Sequence, residues 1–320
     1  MQALLAGHRT ETGFKDGQGG EARFNYPHGI TVDSDSNLLL SDTMNHALRK
    51  VTLSGVVTTL AGNRQSGFAD GVRAAARFNR LMSIVVDSQG TIFVADNQNH
   101  CVRQVALGDG AVLRFVGVGG EKGFSDRLRA AARFNVPCGL ALDVDNHLIV
   151  SDFYNHCIRK VVIAEGRVTK VAGRAGQHGF ADGEGPAARF HYPQSVTVDG
   201  NNNILVAHRR SKRIWMIMGA NAQVTTVSGN TEALFVDGTS ARFKEPMSLS
   251  LDEKGRLLVL EFNAKRVRVV EASLVPPRLL APKVLLAVQD PLREDLSKLL
   301  DDTALTDVTF ALDGQRFPAH

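Results

Sequence analysis

The sequence predicts an all-β fold built from five copies of one four-stranded sheet. An Arg-Phe pair recurs along the chain, at Arg23-Phe24, Arg77-Phe78, Arg133-Phe134, Arg189-Phe190 and Arg242-Phe243. Successive copies therefore lie 54, 56, 56 and 53 residues apart. Each copy also holds short apolar segments separated by turns rich in Asn and Gly, which is typical of strands joined by hairpins. A repeat of this length built from short strands predicts a β-propeller of five antiparallel blades.

Each copy opens with an apolar strand that ends in Asp. These opening strands are Gly29–Asp33, Ser83–Asp87, Gly139–Asp143, Ser195–Asp199 and Ser248–Asp252. In the first copy the other three strands are predicted over Leu38–Ser41, Ala47–Thr52 and Val56–Ala61. The short turns between them indicate an antiparallel sheet.

A loop of the form Gly-Phe-x-Asp-Gly joins each blade to the next, as in Gly67–Gly71. Because Phe stands on both sides of this loop, we expect the loop to fold back onto its blade. Its Asp recurs together with the Arg of the Arg-Phe pair, as Asp16 does with Arg23. We therefore expect an ion pair within the loop.

The two ends of the repeat region are expected to meet. Residues Gln2–Gly7 match the fourth strand of other copies, such as Thr58–Gly62, whereas the fifth copy ends with its third strand at Arg266–Glu271. Pro276-Pro277 follows, and proline does not suit a central strand. We predict a propeller over residues 1–271, closed by strand 2–7 as the fourth strand of blade five. A further portion before residue 1 would make six blades instead.

Composition favours a soluble globular protein, with 43% hydrophobic and 22% charged residues. No segment has the length of apolar sequence that a membrane helix needs, and the N-terminus lacks the pattern of a secretory leader. The three cysteines cannot all pair, and Cys101 and Cys157 share a repeat position, so we interpret them as reduced, buried thiols. We predict a cytoplasmic protein, with the nucleus as the alternative location.

The motif Asp-x-x-Asn-His-x-x-Arg occurs three times within the repeat, over Asp42–Arg49, Asp96–Arg103 and Asp152–Arg159. With its surrounding frame it resembles the NHL repeat, over residues 1 to about 271. The resemblance implies a propeller that in most relatives binds proteins or RNA and in a minority is an enzyme. The residues themselves indicate structural roles, because Asp and Asn suit turns and the Arg can reach the Asp of its own or a neighbouring blade. We place Asn in the left-handed position of the hairpin.

No metal, cofactor or catalytic residue is predicted. His46, His100 and His156 occupy one position in three blades, but the hairpin tips of a propeller diverge, so they are not expected to share an ion. The turn at residues 33–37 resembles the start of a calcium loop, yet Leu38 stands where that loop needs Gly. We therefore predict that the chain is not an enzyme.

The first candidate binding site is the position just before each opening strand. It is occupied in the five copies by His28, Met82, Cys138, Gln194 and Met247. In a propeller this position lies near one mouth of the central channel, so His28, Met82, Gln194 and Met247 are candidate partner contacts; packing at the channel mouth is the alternative. These residue types do not supply the metal ligands or the nucleophile and base of a lyase or lactonase.

The second candidate is a basic patch on blades four and five. The fourth copy replaces the motif with His208–Arg213 and places Trp215 where the others have Arg, and the fifth copy has Glu261–Arg266. We expect six basic residues on one side of one face: Arg209, Arg210, Lys212, Arg213, Lys265 and Arg266. Such a patch suits RNA phosphates, an acidic peptide or an import receptor. A solvated hairpin is the alternative.

A different organisation begins after the repeat. Pro276, Pro277 and Pro282 indicate a linker over residues 272–289. Asp290-Pro291 predicts a helix start, and Thr306–Leu312 and Gln315–His320 predict a hairpin around Asp313-Gly314. Residues 290–320 resemble the truncated start of a BTB/POZ domain, with Asp307-Val-Thr-Phe310 and Phe317-Pro-Ala-His320 as its marks. This resemblance implies self-association and docking to a cullin-type ubiquitin ligase in the intact protein.

Three functions follow, in decreasing order of support. The first is a protein-interaction scaffold, in which the propeller binds a protein and the BTB/POZ domain makes it a substrate adaptor for a cullin-type ligase. The second is RNA binding by the basic face of blades four and five, which the small number of Tyr and Trp disfavours. The third is a metal-dependent lyase or lactonase at the propeller channel.

Overall fold

A computed structural model of the chain describes residues 4–208, 212–228, 243, 245–261, 266–270 and 274–276, together with the backbone of 309–312 and 315–318. Its contacts divide the chain into two compact units. The first comprises residues 1–140 with 160–169, and the second comprises residues 141–159 with 170–320.

The first two blades are five-stranded antiparallel sheets. Blade one contains β1 (Gly17–Gln18), β2 (Pro27–Val32), β3 (Leu38–Asp42), β4 (Ala47–Val51) and β5 (Val56–Gly62). Blade two contains β6 (Gly71–Val72), β7 (Leu81–Val86), β8 (Thr91–Asp96), β9 (Cys101–Ala106) and β10 (Ala111–Gly117). In each sheet the four long strands stand in chain order, and the two-residue strand joins the outer edge.

The remaining blades follow the same order. Blade three contains β11 (Pro137–Leu142), β12 (Leu148–Asp152), β13 (Cys157–Val162) and β14 (Arg167–Gly173). Blade four contains β15 (Gly183–Glu184), β16 (Pro193–Val198), β17 (Ile204–His208), β18 (Arg213–Ile217) and β19 (Gln223–Ser228). In the described residues, blade five contains β20 (Pro246–Leu251), β21 (Leu257–Glu261) and β22 (Arg266–Val270).

The predicted all-β class with five antiparallel blades is confirmed. The prediction of four strands per blade needs one correction, because blades one, two and four each gain a short outer strand from the loop that precedes them. Gly17 of that loop lies opposite Val57 in blade one, and Gly183 lies opposite Val224 in blade four. The loop therefore does fold back onto its blade, and its backbone covers part of the outer edge.

A three-residue 3-10 turn joins the second and third long strands in each motif copy, at Thr43–Asn45, Asn97–Asn99 and Phe153–Asn155. The residue after it is left-handed: His46, His100 and His156 have φ of 52°, 56° and 57°. Asn was therefore the wrong choice for this position. Its amide is used inside the turn, where Asn45 Nδ2 donates to the Asp42 carboxylate at 2.8 Å.

The hydrophobic core lies between the faces of successive blades. In the first unit, Leu39 and Leu48 of blade one share a buried cluster with Ile92 and Val94 of blade two. In the second unit, Ile149 and Ile158 of blade three share a cluster with Val206 and Trp215 of blade four. Alternation of side chains along each strand explains this arrangement, because successive side chains point to opposite faces of the sheet.

A buried arginine organises each motif-bearing blade of the first unit. Arg49 has no exposed side-chain surface, and it binds the Asp42 carboxylate at 2.7 Å and the Asp16 carboxylate at 2.6 Å. Its guanidinium lies 4.8 Å from the ring centre of Phe14 and 5.1 Å from that of Phe24. Two carboxylates and two aromatic rings thus replace the water that a guanidinium would bind outside the protein.

Blade two repeats this arrangement around Arg103. Asp96 binds it at 3.0 Å and Asp70 at 2.6 Å, and the rings of Phe68 and Phe78 lie 4.6 and 5.3 Å away. The structural roles predicted for these Asp and Arg residues are therefore confirmed.

The ion pair expected within the loop is wrong. Asp16 turns inward to Arg49 of the third long strand, while Arg23 instead binds Glu11 at 2.8 Å. The physical reason is that the buried Arg49 offers Asp16 a dehydrated cation, whereas Arg23 lies near the surface, where an ion pair gains little.

The segment Leu4–Gly7 has the geometry of the exit from a fourth strand, although it is not itself in a strand. Gly7 has φ of +103°, close to the +95° of Gly62. The Leu5 carbonyl lies against Gly55 as the Leu60 carbonyl lies against Gly110, and neither glycine has room for a Cβ. These equivalences support the predicted role of strand 2–7 in blade five, which remains a prediction.

The C-terminal predictions are tested only in part. Strands β23 (Thr309–Leu312) and β24 (Gln315–Pro318) pair antiparallel, as the predicted hairpin requires. The helix predicted from Asp290 and most of the linker lie outside the described residues. The boundaries at residues 271 and 289 therefore remain predictions.

We expect Arg103→Met to lower the free energy of unfolding by about 3–5 kcal/mol, because it leaves the buried Asp96 carboxylate without its cation. Urea unfolding of the full chain measures this loss. The control is Arg174→Met, at an exposed arginine, with an expected change below about 0.5 kcal/mol. Equal effects of the two substitutions would contradict the role assigned to Arg103.

We expect a disulfide to form between Ala3→Cys and Val269→Cys under mild oxidation. The repeat places these residues opposite each other, as Lys50 lies opposite Thr58 in blade one. Mass spectrometry of tryptic peptides detects the bond, and the pair Lys50→Cys with Thr58→Cys is the positive control. Cross-linking of the control pair alone would show that residues 2–7 do not complete blade five.

Candidate interaction site

The histidine of the repeat motif binds the backbone of the next blade. The Nδ1 atom of His46 accepts from the Arg80 amide at 3.1 Å, that of His100 accepts from the Val136 amide at 3.1 Å, and that of His156 accepts from the Tyr192 amide at 3.3 Å. The three amide donors belong to residues with φ of 59°, 59° and 64°, a conformation that such residues rarely adopt. Each histidine therefore holds a strained backbone position at the start of the following blade.

One group in the described part of the chain brings three possible metal ligands within 4.8 Å of one another: Asp143, Asp145 and His147. Its geometry is that of the repeat's first turn, in which Asp143 Oδ1 accepts from the amides of Asp145 and His147. The same bonds form in blade two, where the corresponding partners of Asp87 are Gln89 and Thr91. Because the turn needs no ion, we assign no metal to it.

The structure places the four predicted channel-mouth contacts on the first long strands of their blades. His28 is exposed, Met82 and Met247 are half-buried, and Gln194 is buried. Within the first unit, the Met82 carbonyl accepts from Ser41 of blade one, so His28 and Met82 lie on adjoining strands. Within the second unit, Gln194 and Met247 lie on the adjoining strands β16 and β20. Their contact with a partner remains a prediction.

The predicted basic patch is described only in part. Arg209, Arg210 and Lys265 lie outside the described residues. Lys212 and Arg213 are half-buried, and Arg266 lies 3.6 Å from the buried Glu261 carboxylate. Arg266 therefore has a partner within its own hairpin, which reduces its value as a free cation, and the patch as a whole remains a prediction.

Blade four replaces the buried carboxylate and guanidinium with neutral rings. His208 occupies the place of Asp96, and Trp215 occupies the place of Arg103. The buried His208 accepts from the His191 amide through Nε2 at 2.6 Å, as Asp96 accepts from the Asn79 amide at 2.8 Å. Blade four therefore keeps a hydrogen-bond acceptor at this position but lacks the negative charge of Asp96.

Trp215 takes over the second task of the arginine, which is to reach the loop Asp. Its Nε1 donates to Thr226 Oγ1 at 2.6 Å, and that hydroxyl donates to Asp182 Oδ1 at 3.0 Å. The ring also packs edge-on to Phe190 at 5.1 Å between centres. One threonine thus bridges the distance that the longer arginine spans in blades one and two.

These replacements lie beneath a group of rings that we call the aromatic–histidine surface: Tyr154, His178, Phe180, His191 and Tyr192. His178 stacks on His191 at 4.5 Å between ring centres, Tyr154 packs edge-on to Tyr192 at 5.4 Å, and Phe180 lies 5.4 Å from His191. Tyr154 is 49% exposed and Phe180 is 43% exposed. The surface combines apolar area with imidazole and phenol groups that can form hydrogen bonds.

The two histidines below this surface are held neutral. Burial, together with the nearby His178 and His191, lowers the pKa of His156 to about 4. Burial also holds the pKa of His208 well below its usual range, with His191, His156 and Arg213 acting in the same direction. Both imidazoles accept from backbone amides, which requires an unprotonated nitrogen.

The break in the motif at His208 and Trp215 predicted only a basic hairpin. Tyr154, His178, Phe180 and His191 were not among the predicted site residues. One pattern pointed to them, because His191 stands where the other described copies have Asn25, Asn79 and Asn135.

The blades, their hairpin turns and their buried motif are similar to those of NHL-repeat propellers. Residues 78–105 and 134–161 match the family described as the NHL repeat. Each matched segment runs from the Phe of the Arg-Phe pair into the third long strand, and so contains the Asp, Asn, His and Arg of the motif. The predicted NHL resemblance is confirmed for these segments.

Curated relatives extend the similarity over most of the chain. The chain is 28% identical to NHL repeat-containing protein 2 of Gallus gallus over 81% of its own length and 41% of the relative's. It is 26% identical to Protein SUPPRESSOR OF QUENCHING 1, chloroplastic, of Arabidopsis thaliana over 83% of its own length and 27% of the relative's. The chain therefore spans less than half of the relatives it matches.

Solved structures share the fold at low sequence identity. One is titled as a nidogen/laminin complex, with 14% identity, a TM-score of 0.56, and coverage of 81% of this chain and 83% of that one. Another is titled as a streptogramin B lyase structure, with 13% identity, a TM-score of 0.53, and coverage of 80% and 70%. At identities this low the similarity shows a shared fold only, and the chemistry of each protein depends on its own residues.

Two further sequence predictions concern the cysteines and helices of the described residues: buried thiols and no membrane helix. Cys101, Cys138 and Cys157 are buried and form no disulfide, as expected. In the described part of the chain, no helix has both the length and the apolar character needed to cross a membrane.

We expect His208→Asp to destabilise the chain by about 3 kcal/mol, because it buries a carboxylate without a facing cation. Adding Trp215→Arg should recover at least half of this loss, because it restores the pair found in blades one and two. Urea unfolding of the two single variants and the double variant measures the coupling. His208→Asn is the neutral control and should cost less than His208→Asp. Additivity within about 0.5 kcal/mol would contradict the proposed exchange of one pair for the other.

Proposed function

We propose that the chain is a protein-interaction scaffold whose partner contacts the aromatic–histidine surface of blade four. The observation that carries the proposal is the exposure of Tyr154 and His178, at two positions where blade four and its hairpin neighbour depart from the repeat. Aromatic residues are enriched in the cores of protein interfaces, because a large ring buries much apolar area with little loss of conformational entropy.

The scaffold does not need Tyr154 or His178. The position of His178 holds Thr12 in blade one and Ser66 in blade two, and the position of Tyr154 holds Met44 and Gln98. The blades that carry these smaller or polar residues keep the same turns and the same buried arginine. Tyr154 and His178 are therefore additions to a blade that is complete without them, whereas Phe180 is the Phe of the loop that joins every blade.

Partner contacts at the other predicted positions belong to the same proposal. His28, Met82, Gln194 and Met247 would contribute a less aromatic contact area on the first long strands. Arg209, Arg210, Lys212, Arg213, Lys265 and Arg266 would favour an acidic partner, in line with a net charge of +4 for the chain. The localisation proposed for such a scaffold is cytoplasmic or nuclear.

RNA is a second candidate ligand, favoured by one observation. The exposed rings of Tyr154 and His178 can stack on unpaired bases, and the predicted basic patch would contact phosphates. Ionic strength distinguishes the two ligands. Six to ten phosphate contacts would lower affinity by about 10³–10⁵ between 50 and 200 mM salt, whereas a contact made mainly by rings changes little.

We further propose that residues 290–320 belong to a BTB/POZ domain of the intact protein. Pairing of β23 with β24 supports the hairpin on which the resemblance rests. A complete domain would let the protein self-associate and serve as a substrate adaptor for a cullin-type ubiquitin ligase. Light scattering of a chain extended by the next 100 or so residues tests self-association, and capture of a cullin by that chain tests the adaptor role.

We expect Tyr154→Ala with His178→Ala to reduce partner capture from cell extract at least tenfold. The measurement is quantitative mass spectrometry at 50 and 200 mM salt, with the tagged chain as bait. The matched control is Leu113→Ala, which removes an apolar side chain that is 57% exposed in blade two. A second variant reverses the charges of Arg209, Arg210 and Arg213.

The outcomes separate the surfaces. Loss with the ring variant alone, at both salt concentrations, supports the aromatic–histidine surface. Loss with the charge-reversed variant alone transfers the contact to the basic patch, and binding that survives both variants excludes blade four as the site. Enrichment of RNA that disappears at 200 mM salt would favour the second candidate.

A further inference from the structure

Two consecutive backbone amides at the start of blade four end on imidazoles. The His191 amide donates to His208 Nε2 at 2.6 Å, and the Tyr192 amide donates to His156 Nδ1 at 3.3 Å. The corresponding amides of blade two, from Asn79 and Arg80, bind one carboxylate and one imidazole. Blade four has therefore exchanged the only anionic acceptor of this pair for a second histidine.

The two kinds of acceptor respond differently to acid. A carboxyl group keeps an accepting oxygen in either protonation state, but an imidazole that gains a proton has two donors and no acceptor. Protonation of His156 or His208 would place an N–H group against the backbone N–H group that it now accepts. The hydrogen bond is then replaced by repulsion.

The surroundings give no compensation for a proton. The titratable groups that act on His156 are His178 and His191, and those that act on His208 are His191, His156 and Arg213. Each of these groups is neutral or positively charged. A positive charge at either acceptor therefore has no carboxylate among these groups to offset it.

We propose that this junction between the blade-three hairpin and the start of blade four is an acid-sensitive latch, in which protonation of His156 and His208 releases the amides of His191 and Tyr192. Release would also loosen the contact between Tyr154 and Tyr192, whose ring centres lie 5.4 Å apart in the closed junction. Acid therefore dismantles the aromatic–histidine surface while the junction between blades one and two keeps Asp96 as an anchor. The latch does not depend on the proposed function.

The direction of the pH dependence follows from proton binding. The pKa of His156 is lowered to about 4 in the closed junction, against about 6.5 for a histidine in the open one. The closed form thus binds fewer protons, so its stability is complete above about pH 6.5 and declines as the pH falls toward 4. If His156 alone recovers its ordinary pKa on opening, the equilibrium constant for opening rises by about 20-fold between pH 7 and pH 5.

Hydrogen exchange of individual amides tests the latch in the full chain without any substitution. After correction for intrinsic exchange, we expect the protection factors of the His191 and Tyr192 amides to fall about 20-fold from pH 7 to pH 5. The Asn79 amide is the internal reference: burial raises the pKa of its acceptor Asp96 to about 6, so protonation of Asp96 over this range should not lower the protection of that amide. Parallel behaviour of all three amides, or protection of His191 and Tyr192 that does not vary with pH, would overturn the proposal.

A variant adds a second, independent readout. His156→Asn with His208→Asn keeps an accepting oxygen at both positions and removes the titration. We expect this variant to retain protection of the two amides at pH 7 and to lose its dependence on pH. A variant that keeps the original pH dependence would show that other groups are responsible, which refutes the latch as assigned. If the double variant does not fold, the wild-type comparison with Asn79 still decides the matter.

Discussion

The dehydrated guanidinium is the interaction on which the repeat depends. Arg49 and Arg103 are fully buried, and neither could remain there without two carboxylates and two flanking rings. Those partners come from the hairpin turn, from the loop before the blade and from the Arg-Phe pair. In blades one and two, one side chain thus ties together three separate segments, so that the loop folds as part of the sheet.

Blade four shows how the same constraint is met without charge. Replacing one member of a buried ion pair is costly, whereas replacing both by neutral groups of suitable shape can be almost neutral in free energy. His208 and Trp215 are such a replacement, with Thr226 extending the reach of the indole to Asp182. Freed from the charged pair, this junction accommodates a cluster of histidines and tyrosines that no other described junction contains.

Sequence reasoning predicted the fold well but did not indicate the aromatic–histidine surface, for a common reason. Periodicity predicts the strands and the number of blades, because the same pattern of apolar and turn residues recurs in every copy. The partner of Asp16 could not be read this way, because Arg23 and Arg49 recur with the same period and only the buried position of Arg49 distinguishes them. The aromatic–histidine surface was missed because its members come from three segments, each of which looks ordinary alone.

The short outer strands of blades one, two and four determine where such a chain can be divided. Since Asp16 serves Arg49 and Gly17 lies opposite Val57, the loop belongs to the blade that follows it. The natural module therefore runs from one exit glycine to the next, for example from Asn63 to Gly117, and not from the first to the last long strand. A blade that is cut out just after Gly62 and just after Gly117 keeps its buried arginine together with both carboxylates that bind it. This holds for gene fusions, swaps of single blades and circular permutants. A cut beside the Arg-Phe pair would instead separate the arginine from the Asp of its loop.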